Sequence, residues 1–236
     1  MNCVQLRYGR PLLGALARRW VAALLACCAF LVTALGVLFA HQTGADRLDR
    51  TVDSPFITWF VGHPGLAAWL AAPGSLVPAI VLSAAIAVAC LCTGRLNGAV
   101  LAAAAVPAAV GLNDGLFKPL VHRTYLGALT YPSGHTATVF ALATTVAILL
   151  LVPPRSAKAW ALRVLIPAAV CALGVVVAVG VIGLRWHYFT DTVAGAAVGA
   201  GTVCGLALLL DLSVIRGWFT QPAVGSSVDA AASTRS

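Results

Sequence analysis

The chain of 236 residues has no glutamate, a single methionine and only seven aspartates, and its charged residues make up 9% of the total. A soluble domain carries about a quarter of its residues as charges, so this deficit excludes an ordinary soluble fold. The carboxylates are Asp46, Asp49, Asp53, Asp114, Asp191, Asp211 and Asp229, scattered too widely to build an oxygen-rich Mg²⁺ shell. A disulfide framework is excluded as well: Cys27, Cys28, Cys90, Cys92, Cys171 and Cys204 lie in apolar runs and Cys3 in the N-terminal tail, which makes them small core hydrophobes. Long polar stretches are missing, so there is no room for a separate soluble domain.

What is present is apolar: 61% of the residues are hydrophobic. A hydrocarbon core about 30 Å thick needs roughly 20 apolar residues per helical crossing. The runs Trp20–Ala40, Ser75–Cys92, Leu96–Leu116, Thr136–Val152, Ala161–Gly183 and Thr192–Leu210 predict six crossings. Arg18-Arg19 before the first run suggests a signal peptide, but the run has the length of a full crossing rather than the roughly 7–15 residues of a secretory segment; an uncleaved first helix is expected. Residues Gln42–Asp53 read as a polar loop. Pro55–Ala72, with Trp59, His63, Pro64 and Trp69, reads as a helix lying in the interface, with a re-entrant segment as the rival. The expected fold is therefore all-α, a polytopic membrane bundle at 20–212 between tails at 1–19 and 213–236. The first ten residues and Gln221–Ser236 are expected to have no fold of their own.

Basic residues set the orientation. Arg7, Arg10, Arg18, Arg19, Arg95, Arg155, Lys158, Arg163, Arg216 and Arg235 fall on one side, against Arg47, Arg50, Lys118, Arg123 and Arg185 on the other. The bias predicts cytoplasmic termini in a cytoplasmic membrane. It also accounts for most of the net charge of +8, which is then no argument for nucleic acid.

Polar, protonatable groups at helix mouths are costly in a membrane and mark function. Pro132-Ser133-Gly134-His135 opens the fourth crossing, and Arg185, His187 and Asp191 lie between the fifth and sixth. Two crossings return the chain to the side it left, so these residues share one outer face with Lys118 and Arg123. Two histidines, one carboxylate and three cations describe a site for a phosphoryl group, whose equatorial oxygens cations and backbone N–H groups stabilise. The Ser133-Gly134 turn adds the positive end of a helix dipole. With His187 and Asp191 four apart, the carboxylate is expected to accept the Nδ1 proton and leave Nε2 as nucleophile, while His135 protonates the leaving oxygen. Zinc on His135, His187 and Asp191 is conceivable, but the crowding cations disfavour it; no cofactor is expected.

These residues resemble the type-2 phosphatidic acid phosphatase superfamily, six-crossing membrane lipid phosphatases with a metal-free phosphohistidine mechanism. Its motifs are Lys-x6-Arg-Pro, Pro-Ser-Gly-His and Ser-Arg-x5-His-x3-Asp. The second is present in full as Pro132-Ser133-Gly134-His135, and the end of the third as His187 and Asp191. The resemblance implies that Lys118 binds phosphate, His135 is the general acid, His187 the nucleophile and Asp191 its partner. Ser133 and Gly134 join the phosphate cradle, and Arg123 and Arg185 do so on charge and proximity. Two motif arginines are replaced: Tyr125 stands where the first motif has Arg, and Val181 where the third has it.

The implied activity is hydrolysis of a phosphomonoester or pyrophosphate of a lipid, of the phosphatidic acid, phosphatidylglycerol phosphate or polyprenyl phosphate type. A lipid phosphotransferase or a weakened lipid-binding member are the alternatives. Other residues read as structural: His122 as a loop histidine, His41 and His63 as interfacial, Asn113, Asp114 and Gly115 as the end of the third helix, and Tyr125, Tyr131, Trp186 and Tyr188 as an aromatic belt.

Overall fold

The computed structural model describes residues 11–151 and 160–219, with side chains through 213 in the last helix. The loose ends expected at 1–10 and Gln221–Ser236, Arg155 and Lys158, and the Arg216 side chain lie outside the described residues. The elements are α1 (Ala15–Phe39), α2 (Arg47–Phe60), α3 (Pro64–Ala71), a 3₁₀ turn at Ala72–Gly74 and α4 (Leu76–Cys92). There follow α5 (Leu96–Leu112), a π-helical turn at Asn113–Phe117, α6 (Lys118–Val121), and the strands β1 (Thr124–Tyr125) and β2 (Ala128–Leu129) of a small hairpin. The last three helices are α7 (Gly134–Leu151), α8 (Trp160–Gly183) and α9 (Phe189–Phe219). Six spans among the described residues are long and apolar enough to cross a membrane. Large apolar side chains such as Val77 and Leu165 point outward, the arrangement that a lipid solvent allows and water does not.

The second crossing differs from the sequence expectation. It runs over Pro64–Cys92, because Pro64 starts α3 at a position where no backbone N–H is needed and the 3₁₀ turn joins α3 to α4. Pro55–Ala72 is therefore not one interfacial helix. The segment outside the crossings is α2, which takes in residues expected to be a loop: Asp46 caps it by accepting the Asp49 N–H at 2.7 Å. Asp49, Asp53 and Phe60 are buried along one face of α2, whereas Arg47 and Arg50 are exposed.

The third crossing also continues past its expected end. The Lys118 N–H bonds to the Asn113 carbonyl, one residue wider than an α-helical turn, and the span extends to Val121.

Helix α9 forms the centre of the bundle, packed mainly on α7 and α1. Gly195 and Gly199 make this possible. A Cβ at Gly195 would collide with the Ser133 carbonyl and Thr136 Oγ1, and one at Gly199 with the Ala137 carbonyl. At the opposite end of α9, Asp211 Oδ1 accepts the Leu12 N–H at 2.7 Å and the Leu13 N–H at 3.2 Å, so the chain entering α1 is fastened to the last helix.

Gly195→Val should separate α9 from the Pro132–His135 turn. Overpacking of this kind costs about 1–3 kcal/mol, so thermal unfolding of the purified protein in detergent should shift down by several degrees. An unchanged midpoint would show that the close approach is dispensable.

Candidate active site

One end of the bundle gathers the polar residues. The end of α1, the face of α2, the π turn, the hairpin, the start of α7 and the α8–α9 turn all converge there. The His135 and His187 rings lie 6.4 Å apart between centroids, and the Trp186 ring stands 5.4 Å from His135. His187 is buried, and its Nδ1 lies 2.8 Å from the Thr130 carbonyl oxygen. A carbonyl only accepts, so Nδ1 carries the proton and Nε2 the lone pair. Burial, followed by the charges of Lys118 and His135, pushes the His187 pKa down to about 3. The ring is neutral across the physiological range.

This corrects the expected His187–Asp191 pairing. Asp191 Oδ1 accepts from Arg123 Nη1 at 2.7 Å, and Oδ2 accepts the Tyr188 N–H at 3.0 Å. The carboxylate sits in the first turn of α9, where the free N–H groups of the helix start reach it before the imidazole does.

Arg123 also departs from expectation. It is wholly buried and holds carboxylates rather than facing the histidines: Nη2 reaches Asp49 Oδ2 at 2.5 Å, while Nη1 reaches Asp191 and Thr190 Oγ1, each at 2.7 Å. Its guanidinium lies 4.2 Å from the Phe39 ring centroid and 4.3 Å from that of Tyr188. The neighbouring carboxylates hold its pKa up against burial, which pulls it down.

Lys118 lies on the cluster side of the π turn, with Nζ 2.8 Å from Asp114 Oδ1. Ser133 is buried, its N–H donates to the Asp191 carbonyl at 2.9 Å, and its Oγ has no hydrogen-bond partner among the described residues. Gly134 begins α7, and Asn113 Nδ2 lies 3.6 Å from where its Cβ would be. Arg185 is exposed, with φ +60°, at the rim near Tyr125.

The expected set thus divides. His135, His187, Lys118, Ser133 and Gly134 line one cluster, Arg185 stands at its rim, and Arg123 with Asp191 forms the support behind it. Among the described residues, no three His, Cys, Asp or Glu side chains form a metal-binding group.

Five contributors were not singled out from sequence. Asp49 accepts the Thr190 N–H at 3.0 Å and Asp53 the Phe189 N–H at 3.1 Å, so two carboxylates of α2 cap α9. Thr130 supplies the carbonyl for His187, and Asn113 and Asp114 sit beside Lys118. The four-residue spacing of Asp49 and Asp53 was the available signal for the first two, because it puts both on one helical face.

An all-helical bundle with six membrane-length spans and, at one end, a neutral buried histidine beside a second histidine, a lysine and a helix N-terminus defines a polytopic membrane protein with a polar cluster at a bundle end. The sequence profile of the PAP2 superfamily matches residues 57–213, and the chain belongs to this superfamily, whose members are in general phosphatases. No curated protein and no solved structure matches the chain significantly.

Removing Arg123 would leave Asp49 and Asp191 buried without their counter-charge, a change that costs about 3–5 kcal/mol. Arg123→Ala should lower the thermal midpoint sharply or abolish recovery of folded protein. Wild-type stability in that variant would refute the support role.

Asp53 gives a pH signature. Burial, then the charge of Asp49, raises its pKa from 3.8 to about 7. The folded state therefore holds this proton more tightly than the unfolded chain; its contribution to stability is full below about pH 4 and is lost as pH rises through 7. Melting curves from pH 4 to 8 should show a shallower decline for Asp53→Asn than for wild type, and parallel curves would exclude the shift.

Proposed function

We propose that the chain is a lipid phosphatase working through a phosphohistidine at the outer membrane face. The observation that carries this reading is the Nδ1 contact of His187 with the Thr130 carbonyl, which aims an unprotonated Nε2 at the cluster. In the first step Nε2 donates its lone pair to phosphorus, the ester P–O bond breaks, and His135 gives its proton to the departing alkoxide. In the second, His135 takes a proton from water, whose oxygen attacks phosphorus; the P–N bond breaks, and orthophosphate and neutral His187 are restored.

Charge on the transferring group is met by Lys118, by the backbone N–H groups at the start of α7 and by the unpartnered Ser133 hydroxyl. Arg185 at the rim suits the incoming phosphate. Arg123 and Asp191 position the histidine turn. The substrate class follows from location: a superfamily of membrane-embedded phosphatases with its cluster at a bundle end suits a lipid phosphate whose chains stay in the bilayer. The ten-to-five division of basic residues supports an extracytoplasmic site with cytoplasmic termini.

Purified protein incubated with phosphatidic acid, phosphatidylglycerol phosphate and polyprenyl phosphates, without added metal, should release inorganic phosphate from at least one of them. His187→Ala should reduce release by at least ~10³-fold, the scale of losing a covalent nucleophile. Undiminished turnover in that variant would remove the proposed intermediate. Transfer of label to a second lipid without free phosphate would identify a phosphotransferase instead.

A further inference from the structure

A short polar chain runs behind the phosphate cluster. Lys118 Nζ contacts Asp114 Oδ1 at 2.8 Å. The same carboxylate accepts from Asn113 Nδ2 at 3.0 Å, and that amide also donates to the Pro132 carbonyl at 3.2 Å. Both acceptors are fixed in kind, since a carbonyl and a carboxylate accept, so the NH₂ end of Asn113 must face them. Asn113 is fully buried and Asp114 about half exposed. The two halves of the cradle, the lysine on α6 and the Pro132–Gly134 turn, are thereby joined through one amide and one carboxylate.

The π-helical turn is the local cause. Its extra residue lets the third crossing continue into α6 while Asn113 contacts the Pro132 turn and Asp114 contacts Lys118. Such turns persist where a site requires their geometry, because their hydrogen bonding is otherwise inferior to that of an α-helix.

A carboxylate beside an anion site has a further consequence. Asp114 acts electrostatically on His187 in opposition to Lys118, so it lies within range of a phosphate bound at that histidine and repels it. It also occupies the lysine that the phosphate would otherwise have to itself.

Resting on the phosphatase reading, we propose that Asn113 and Asp114 are positioning residues that set the site's affinity for phosphate in opposite directions. Asn113 locks the Pro132–Gly134 turn in register with Lys118 and strengthens binding. Asp114 holds the Lys118 ammonium in place but offsets part of its charge, so that orthophosphate leaves after hydrolysis.

The test is equilibrium binding of inorganic phosphate to the full-length protein in detergent, read by calorimetry, which needs no turnover. Asp114→Asn keeps an acceptor oxygen for Asn113 and Lys118 but removes the charge; phosphate should bind several-fold more tightly. Asn113→Leu removes both N–H donors at similar volume, and binding should weaken about tenfold, the effect of losing about 1.4 kcal/mol. A merely structural role would move both variants the same way. That result, an unchanged affinity in either variant, or wild-type protein that binds no phosphate would each overturn the proposal. Failure of the phosphatase reading shows separately, as phosphate binding without turnover of any lipid phosphate.

Discussion

The buried guanidinium of Arg123 is the interaction on which the polar end of this bundle depends. Through its side chain it joins α2 at Asp49 to α9 at Thr190 and Asp191, and through its backbone carbonyl it accepts the Thr130 N–H at 3.0 Å. Thr130 in turn receives the His187 Nδ1 proton. One residue thus fixes the His187 imidazole from two directions, by setting the start of the helix that follows it and by seating the carbonyl that selects its tautomer. Burying an isolated guanidinium is prohibitive, and two carboxylates, a hydroxyl and two aromatic faces together offset that cost. Such a group tolerates few arrangements of its neighbours, which is what a site requiring fixed geometry needs.

This explains why an amphipathic helix belongs to the active end of a membrane bundle. Helix α2 brings two carboxylates to the free N–H groups of Phe189 and Thr190. In a membrane helix those donors have few alternatives, because lipid supplies none and the bundle interior is apolar. Capping from another element ties the orientation of α9 to α2, and α9 reaches the rest of the bundle through its contacts with α7 and α1. The cluster is consequently held rigidly on the side that carries His187. Its more exposed side carries Arg185, Trp186 and the hairpin tip at Leu126.

The crossings were legible because an apolar run of membrane length admits few structures, and Pro132–His135 with His187 and Asp191 were legible because polar groups at helix mouths need a reason. Helix α2 was not. Its sequence from Arg47 to Asp53 has the polarity of a loop, and the partner that buries Asp49 stands 74 positions away in sequence. The end of the third helix was misread for a related reason: Asn113-Asp114-Gly115 has the composition of a terminator, yet the widened turn carries the helix through it. Thr130 serves His187 through its backbone carbonyl, so its side chain gave no sign of that contact. Arg123 was found as a cation and its surroundings reassigned it, since charge is visible in sequence but its counter-charges are visible only in the fold.

The two replaced motif arginines fit the same arrangement. Val181 is fully buried in α8, and its carbonyl accepts the Trp186 N–H at 3.0 Å to close the turn before His187. Tyr125 stacks on Tyr188 with ring centroids 4.4 Å apart, and Tyr188 is one of the aromatic faces on Arg123. Neither position carries a cation here: Tyr125 backs the Tyr188 ring that lies on Arg123, and residue 181 serves the turn before His187 through its backbone carbonyl. The fixed positive charge at the cluster is thereby reduced to Lys118, which shares its ammonium with Asp114, and to Arg185 at the rim. In the proposed phosphatase reading the anion then rests chiefly on the N–H groups at the start of α7, whose direction is set by the close packing of Gly195 on Ser133. Helix packing and the geometry of the Ser133-Gly134 turn are then one constraint, because what lets α9 approach α7 also holds that turn in place.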